Sequence, residues 1–406
     1  MPESAAHSQH KSQRCVGSPL GAPSRICSRS PESIRSKPLA CVHRTRKPSQ
    51  RDTLLRRTRE GCGYIATGAL LAVLSFGVSG PLFAATNEMA KTRVVLAQDP
   101  TAVSGFDVDA VKVRHLVAAG IELFTGQRDK ATAWATLVSS NDVVGIKIDT
   151  QAAPLHATHR AVVEAIADGL RAAGVAATNI IVWDRDPGKM IAAGFPTSEQ
   201  APSSPLFRSL AVSPDGWDAT AVYKHRVVGR LVWGDLLFGK VESDIDTRSH
   251  LPFVLTKTIT KLINVPVLQD HDPCGIAGCL DNISVGAVDN QRRFETQGQR
   301  GDPAIAEICV LPQVRGKLVL NVMDGLVGGY AGGPAFKPQY SWNYGGLFFS
   351  RDPVAVDAVA LELIEAKRRE ANVSAIGSQA SHITTAARLG LGQSDRAKIE
   401  LSEAKP

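Results

Sequence analysis

Between residues 142 and 184 a short buried run, "DVVGIKID", passes through a loop into an amphipathic segment, "HRAVVEAIADGLRAAG", and out into a second buried run, "NIIVWD". Two apolar runs joined by a helix of this length make a βαβ unit. Its strands pair in parallel, and its crossover is right-handed. Strands buried on both faces need helices on both faces, which selects an α/β architecture over a bundle or a sandwich. The same alternation recurs on either side. "DVDAVKVRHLVAAGIELFTG" reads as a helix with Val111, Leu116 and Ile121 near helical spacing and Gly126 past its end. The loop after residue 149 leads to Thr158 as N-cap of the next helix, which stops at Gly174. Further strands are expected at 262–268 and 316–324, with a helix or turn near 251–260. A helix follows at 352–370, with Pro353 in its first turn and basic residues at its end. The expected fold is α/β, a mostly parallel sheet with helices on both faces. An irregular insertion around 196–250 interrupts it, and the single α/β domain spans 100–395.

The formal charge of +7 raises the question of an acidic polymer as partner. Residues 1–60 hold 13 Lys/Arg against 4 Asp/Glu, leaving 33 basic and 35 acidic residues for the rest. The basic excess therefore belongs to the N-terminus, and no nucleic-acid partner is expected for the body. Residues 1–55, rich in Ser, Arg and Pro, form a disordered extension or lie upstream of the true translation start. Residues 56–87 read as an export signal: Arg56 and Arg57 precede an uncharged run ending in small residues, in the manner of the twin-arginine route. The export machinery is thus an expected partner, and the membrane becomes one only if the signal stays uncleaved. A periplasmic or cell-envelope location follows, with membrane anchoring as the alternative. Cys274, Cys279 and Cys309 are expected as small buried thiols, with a Cys274–Cys279 disulfide as the alternative. No iron–sulfur cluster motif is present.

The apolar runs end in polar groups. Lys147 and Asp149 close one strand, Asp184 and Asp186 the next, Gln269, Asp270 and His271 a third, and Asn321 with Asp324 a fourth. Open parallel sheets bind ligands beyond the carboxyl ends of their strands. If the strands are neighbours, these groups converge on one crevice for a small-molecule ligand. A cluster of Asp and His suits proton transfer or a divalent metal. The expected catalytic pair is His271 with Asp270 as the carboxylate that orients it. Lys147, Asp149, Asp184, Gln269, Asp281, Asn282, Asp324 and Asp352 are the expected ligand contacts. The loops "CGIAGCLDN" and "DGLVGGYAGGP" are read as backbone-rich and flexible, and His156 and His159 as surface or capping residues.

"VGIKID", "NIIVWDRD", "LINVPVLQDH", "GIAGCLDNISVG" and "GGPAFKPQYSWNYGGLFFSRDPVAVDAVALELI" together resemble the uncharacterised family called domain of unknown function 362, over roughly residues 105–390. Lys147, His271, Asn282 and the Asp352/Asp357 pair match the family pattern. Gln269 and Asp281 stand where relatives carry lysine, so the resemblance implies a pocket that keeps its shape but has lost two positive charges. The expected function is an exported small-molecule-binding enzyme, or former enzyme, with a His/Asp site at the strand ends. A non-catalytic envelope binding protein is the alternative. An accessory of iron–sulfur or redox systems is weaker, because some relatives are fused to iron–sulfur modules and this chain carries no such motif.

Overall fold

The computed structural model describes residues 91–197, 204–224, 248–294 and 300–406. The readings at 1–55 and 56–87 lie outside the described residues. Strand β1 (Thr92–Gln98) and helix α1 (Ala110–Thr125) lead into the expected βαβ unit. That unit consists of β2 (Val144–Ile148), α2 (Arg160–Ala172) and β3 (Ile180–Asp184), extended by α3 (Pro187–Ala192) and β4 (Arg208–Ala211). Of the stretch expected as an irregular insertion, β4 instead extends the main sheet beside β3, and a separate antiparallel ribbon, β5 (Trp217–Lys224) with β6 (Arg248–Pro252), follows it. The region expected as a helix or turn thus begins with the end of a strand and continues as one π-helical turn, Val254–Thr258.

The apolar run after residue 260 is two strands rather than one. Pro266 has no N–H to give a ladder, so the chain breaks there into β7 (Lys261–Val265) and β8 (Val267–His271). The freed Pro266 carbonyl accepts the Asp324 N–H at 2.8 Å. β9 (Gly275–Ala277) folds back on β8, so the segment expected as a glycine-rich loop is a strand followed by the one-turn helix α4 (Cys279–Asn282). α5 (Ala304–Val310) precedes β10 (Leu318–Gly329), which runs five residues past its expected end and takes in half of the second glycine-rich stretch. β11 (Ser341–Ser350), α6 (Pro353–Glu370), α7 (Ser381–Arg388) and β12 (Ile399–Ala404) complete the chain.

The strand order is β12-β1-β11-β10-β7-β2-β3-β4, with β8 pairing the far half of β10. Only β11 runs against its neighbours on this path. The sheet therefore is mostly parallel, and it includes β1 and β12 beyond both ends of the expected 100–395 span. Alternate residues of each strand feed two separate cores. Ile146, Val182, Ile263 and Val322 pack with α1, α2 and α3 on one face. Trp183, Leu262 and Met323 pack with α4, α5, α6 and α7 on the other. From β2 the chain builds outward through β3 and β4, then returns to add β7 and β10 on the other side of β2. The gap between the carboxyl ends of β2 and β7 is therefore a topological switch point, where such sheets hold ligands.

Helix α4 is too short to be stable by itself, and α6 holds it. The buried Asp357 carboxylate accepts the N–H groups of Cys279 at 2.6 Å and Leu280 at 2.9 Å. Gly278 must be glycine here, because a Cβ would lie 2.2 Å from an Asp357 carboxylate oxygen. Asp357→Ala and Gly278→Ala should each cost about 2 kcal/mol in urea unfolding, the first by orphaning two buried donors and the second by collision. The double variant should lose less than the sum, because removing the carboxylate vacates the space that the new methyl needs.

Candidate functional site

Three polar side chains stand in one row across the centre of the sheet, on the face that packs against α4. Lys147 of β2 is opposite Asn264 of β7, and Asn264 is opposite Asn321 of β10. All three are buried. Their hydrogen bonds form a directional chain. Asn321 Nδ2 donates to the Ser350 carbonyl at 3.1 Å, leaving its oxygen to accept from Asn264 Nδ2 at 2.9 Å. The Asn264 amide also donates to the Cys279 carbonyl, so its oxygen takes Asn282 Nδ2 at 2.8 Å. The Asn282 oxygen then accepts from Lys147 Nζ at 2.8 Å, and Nζ donates further to Asp184 at 2.9 Å and to the Ile148 carbonyl at 2.7 Å.

The charged end of this chain opens into a cleft at the carboxyl ends of β2 and β3, beside the switch point. Lys147, Asp149, Asp184, Asp281 and Asn282 line it, with Thr150, Arg185, Asp186, Lys189 and Gln291 among the others around it. Its volume is ≈ 30 Å³, room for about one or two waters. Five of the ten expected site residues therefore meet here. Asn264, Thr150, Arg185, Lys189 and Gln291 were not expected. Of these only Asn264 leaves a signal, as a lone amide inside the apolar run "LINVPVL".

The other five lie elsewhere. Asp270 and His271 are successive residues of a strand, so their side chains point to opposite sides. Asp270 accepts the Gly333 N–H at 3.2 Å and faces Arg368 at 3.7 Å, whereas His271 Nδ1 lies 3.3 Å from Cys274 Sγ. Asp270 is therefore placed to hold the loop at Gly333, not to orient His271. Gln269 bonds His156 at 2.8 Å. Asp324 accepts both the N–H and Nδ1–H of His159 at 2.8 Å. Asp352 is the N-cap of α6 and also accepts the Gln393 N–H, a structural role at the start of the helix. His156 and His159 are thus not surface groups, since loop 149–158 folds both inward. His159, not Thr158, occupies the N-cap position of α2. The Thr158 hydroxyl instead bonds the Asp149 N–H and the Val265 carbonyl.

Environment pushes two of the cleft's carboxyls, Asp149 and Asp184, apart. Burial would raise Asp184, but the Lys147 charge and hydrogen bonds from Thr150, Lys147 and the Arg185 N–H outweigh it and hold Asp184 below the usual carboxylate range. Burial pushes Asp149 up, opposed only partly by the Gln151 N–H and the Lys147 charge. Burial likewise opposes charge on Asp324 and His159, yet their contact wins, lowering the acid and raising the imidazole. Burial carries Asp270 up to about 6, against the Gly333 N–H and with Asp272 adding to it.

Among the described residues no group of three or more His, Cys, Asp or Glu is placed to hold a metal ion. In the cleft, the Lys147 ammonium already sits among the oxygens a cation would use. Cys274, Cys279 and Cys309 are free and buried. No described helix is long and apolar enough to cross a membrane.

Fold and cleft together define an open α/β protein with a polar cleft at the carboxyl ends of its strands. The family model described as Domain of unknown function (DUF362) matches residues 241–362, in agreement with the resemblance read from the sequence. The matched span runs from β6 into α6. It includes Asn264, Asp281, Asn282 and Asp357 and stops short of Lys147, Asp149 and Asp184. A solved Thermotoga maritima protein from a structural genomics consortium is 12% identical, with a TM-score of 0.36 over 67% of this chain and 61% of its own. This chain thus spans about three-fifths of that protein's length. No curated protein matches the chain.

Two outcomes test the electrostatics. Lys147→Met should cost about 3–5 kcal/mol in denaturant unfolding, because it strands the Asp184 carboxylate without its partner. Asp270 should make stability fall with rising pH. Its carboxyl titrates near 6 when folded and near 4 when unfolded, so between those values the folded state holds more protons. Its contribution is complete below about pH 4 and lost as pH rises through about 6, on the order of 2 kcal/mol. Asp270→Asn should flatten that slope in urea titrations.

Proposed function

We propose that this protein is an enzyme acting on a small polar molecule whose polar end enters the cleft at the carboxyl ends of β2 and β3, with Asp149 as the group that exchanges a proton. The observation that carries this reading is the opposite displacement of Asp149 and Asp184 within one cleft. A pair of acids whose environments separate their proton affinities divides the labour of acid/base chemistry. Asp184, locked to Lys147, stays ionised and fixes the electrostatics. Asp149, with its proton affinity raised by burial, is the group placed to take and return a proton. Asn282, Arg185, Lys189 and Gln291 supply donors and acceptors for orientation. The balance of three basic side chains and four acids suits a neutral or zwitterionic ligand better than a strongly anionic one. Export through residues 56–87 to the periplasm or envelope belongs to the same proposal.

The test is a panel of small amino, hydroxy and keto acids and polyols, read by thermal shift and by deuterium wash-in at carbon in heavy water. A compound that stabilises the wild type and exchanges a carbon-bound hydrogen should lose exchange by about 100-fold or more in Asp149→Asn. Stabilisation without exchange in either protein would make the cleft a binding site without catalysis. Equal exchange by both proteins would remove Asp149 from the reaction.

A further inference from the structure

His156 is buried to 1% exposure, and each of its ring nitrogens faces an acceptor. Nδ1 lies 2.8 Å from Gln269 Oε1, and Nε2 lies 3.1 Å from the Val327 carbonyl oxygen. A neutral imidazole has one N–H and one lone pair, so it satisfies only one of these contacts and turns the other into a repulsion between lone pairs. Rotating the Gln269 amide does not relieve this. Its Nε2 donates to the Pro334 carbonyl at 3.1 Å, and the rotated amide would set its oxygen against that carbonyl instead. Gly329 keeps the arrangement tight, because a Cβ there would meet Gln269 Cγ and His156 Cε1 at 3.2 Å each. Phe336 stacks on the ring at 5.2 Å. The hydrogen-bond pattern closes without conflict only when both ring nitrogens carry protons.

The charges around the ring come from Asp149, which favours a cationic His156, and from His159, which opposes it and is itself paired with Asp324. Burial also opposes the charge and by itself lowers the pKa of the ring. Burial lowers the proton affinity of His156 and raises that of Asp149, so by itself it favours the proton on the acid over a second proton on the ring. Moving the acid's proton to the ring keeps the same proton count and satisfies both acceptors. We propose that His156 is held as an imidazolium by Gln269, Val327 and Asp149, and that it keeps Asp149 ionised as the base of the cleft. His156 is thus a positioning residue: it borders the acid and does not line the cleft. The proposal rests on Asp149 being the proton-exchanging group, but it concerns a state of the free protein that needs no substrate.

Nitrogen-15 spectra of histidine-labelled full-length protein test it. At a pH of about 8, well above the ordinary histidine value of about 6.5, both His156 nitrogens should resonate in the protonated range. His156→Gln assigns the signal. If that variant does not fold, Gln269→Leu assigns it by shifting one nitrogen alone. Asp149→Asn should convert the ring to the neutral form with one unprotonated nitrogen. One unprotonated nitrogen in the wild type at that pH overturns the proposal. An imidazolium that survives Asp149→Asn overturns the role given to the acid. Either result leaves the exchange experiment on the cleft to stand or fall separately.

Discussion

A lysine ammonium buried at the centre of a sheet is a costly group, and the site is built around satisfying it. Burying a charge is tolerable only when it is paired and fully hydrogen-bonded. Lys147 meets that condition with three acceptors from three different places: its own strand, the end of β3 and helix α4. Asp184 in turn accepts from Lys147, from the N–H and hydroxyl of Thr150, and from the Arg185 N–H. The result is a fixed junction between two strand ends and a one-turn helix that could not hold its position unaided. The amide chain behind it sets the direction. The Ser350 and Cys279 carbonyls can only accept, so each asparagine is oriented, and the Asn282 oxygen is delivered to Nζ.

That junction explains why the crevice beside the switch point is polar and narrow. Asp357 pins α4 from the far side, so Asn282 and Asp281 are presented by the α6 layer while Lys147, Asp149 and Asp184 come from the sheet. The cleft is lined by two bodies of structure, each held by its own buried carboxylate. Asp281 leaves the cleft close to charge balance, and Gln269 gives His156 an acceptor where an ammonium would give a repelling charge.

The sheet was legible in the sequence because its strands alternate with well-marked helices. Gly126 at the C-cap of α1, Gly174 past α2 and Pro353 in the first turn of α6 all stand where local chemistry puts them. The region after Pro266 was not legible, because a proline that breaks one strand into two leaves the apolar pattern on both sides intact. Reading β8 as a strand end made its polar residues look like a site, and neighbours in sequence looked like partners in space. Strand geometry sends Asp270 and His271 apart. Half of the site was visible as acids at strand ends. The rest, Asn264 above all, depended on which strands are neighbours, a property that no local pattern records.

His156 shows the same principle acting at longer range. Its two acceptors come from β8 and β10, strands that meet only because β10 runs on past Asp324 to Gly329. The acid it influences sits at the end of β2, and loop 149–158 returns the histidine to that acid through the Asp149–Thr158 hydrogen bonds. The imidazolium proposed for His156 therefore depends on β10 extending as far as Val327. The glycines that let β10 continue, read in the sequence as flexibility, instead give Gln269 and the His156 imidazole room to close on one another. The chemistry of the cleft and the packing of β8 on β10 are linked through His156, and a change at Gly329, which faces Gln269 and the imidazole, would act on Asp149 through that ring.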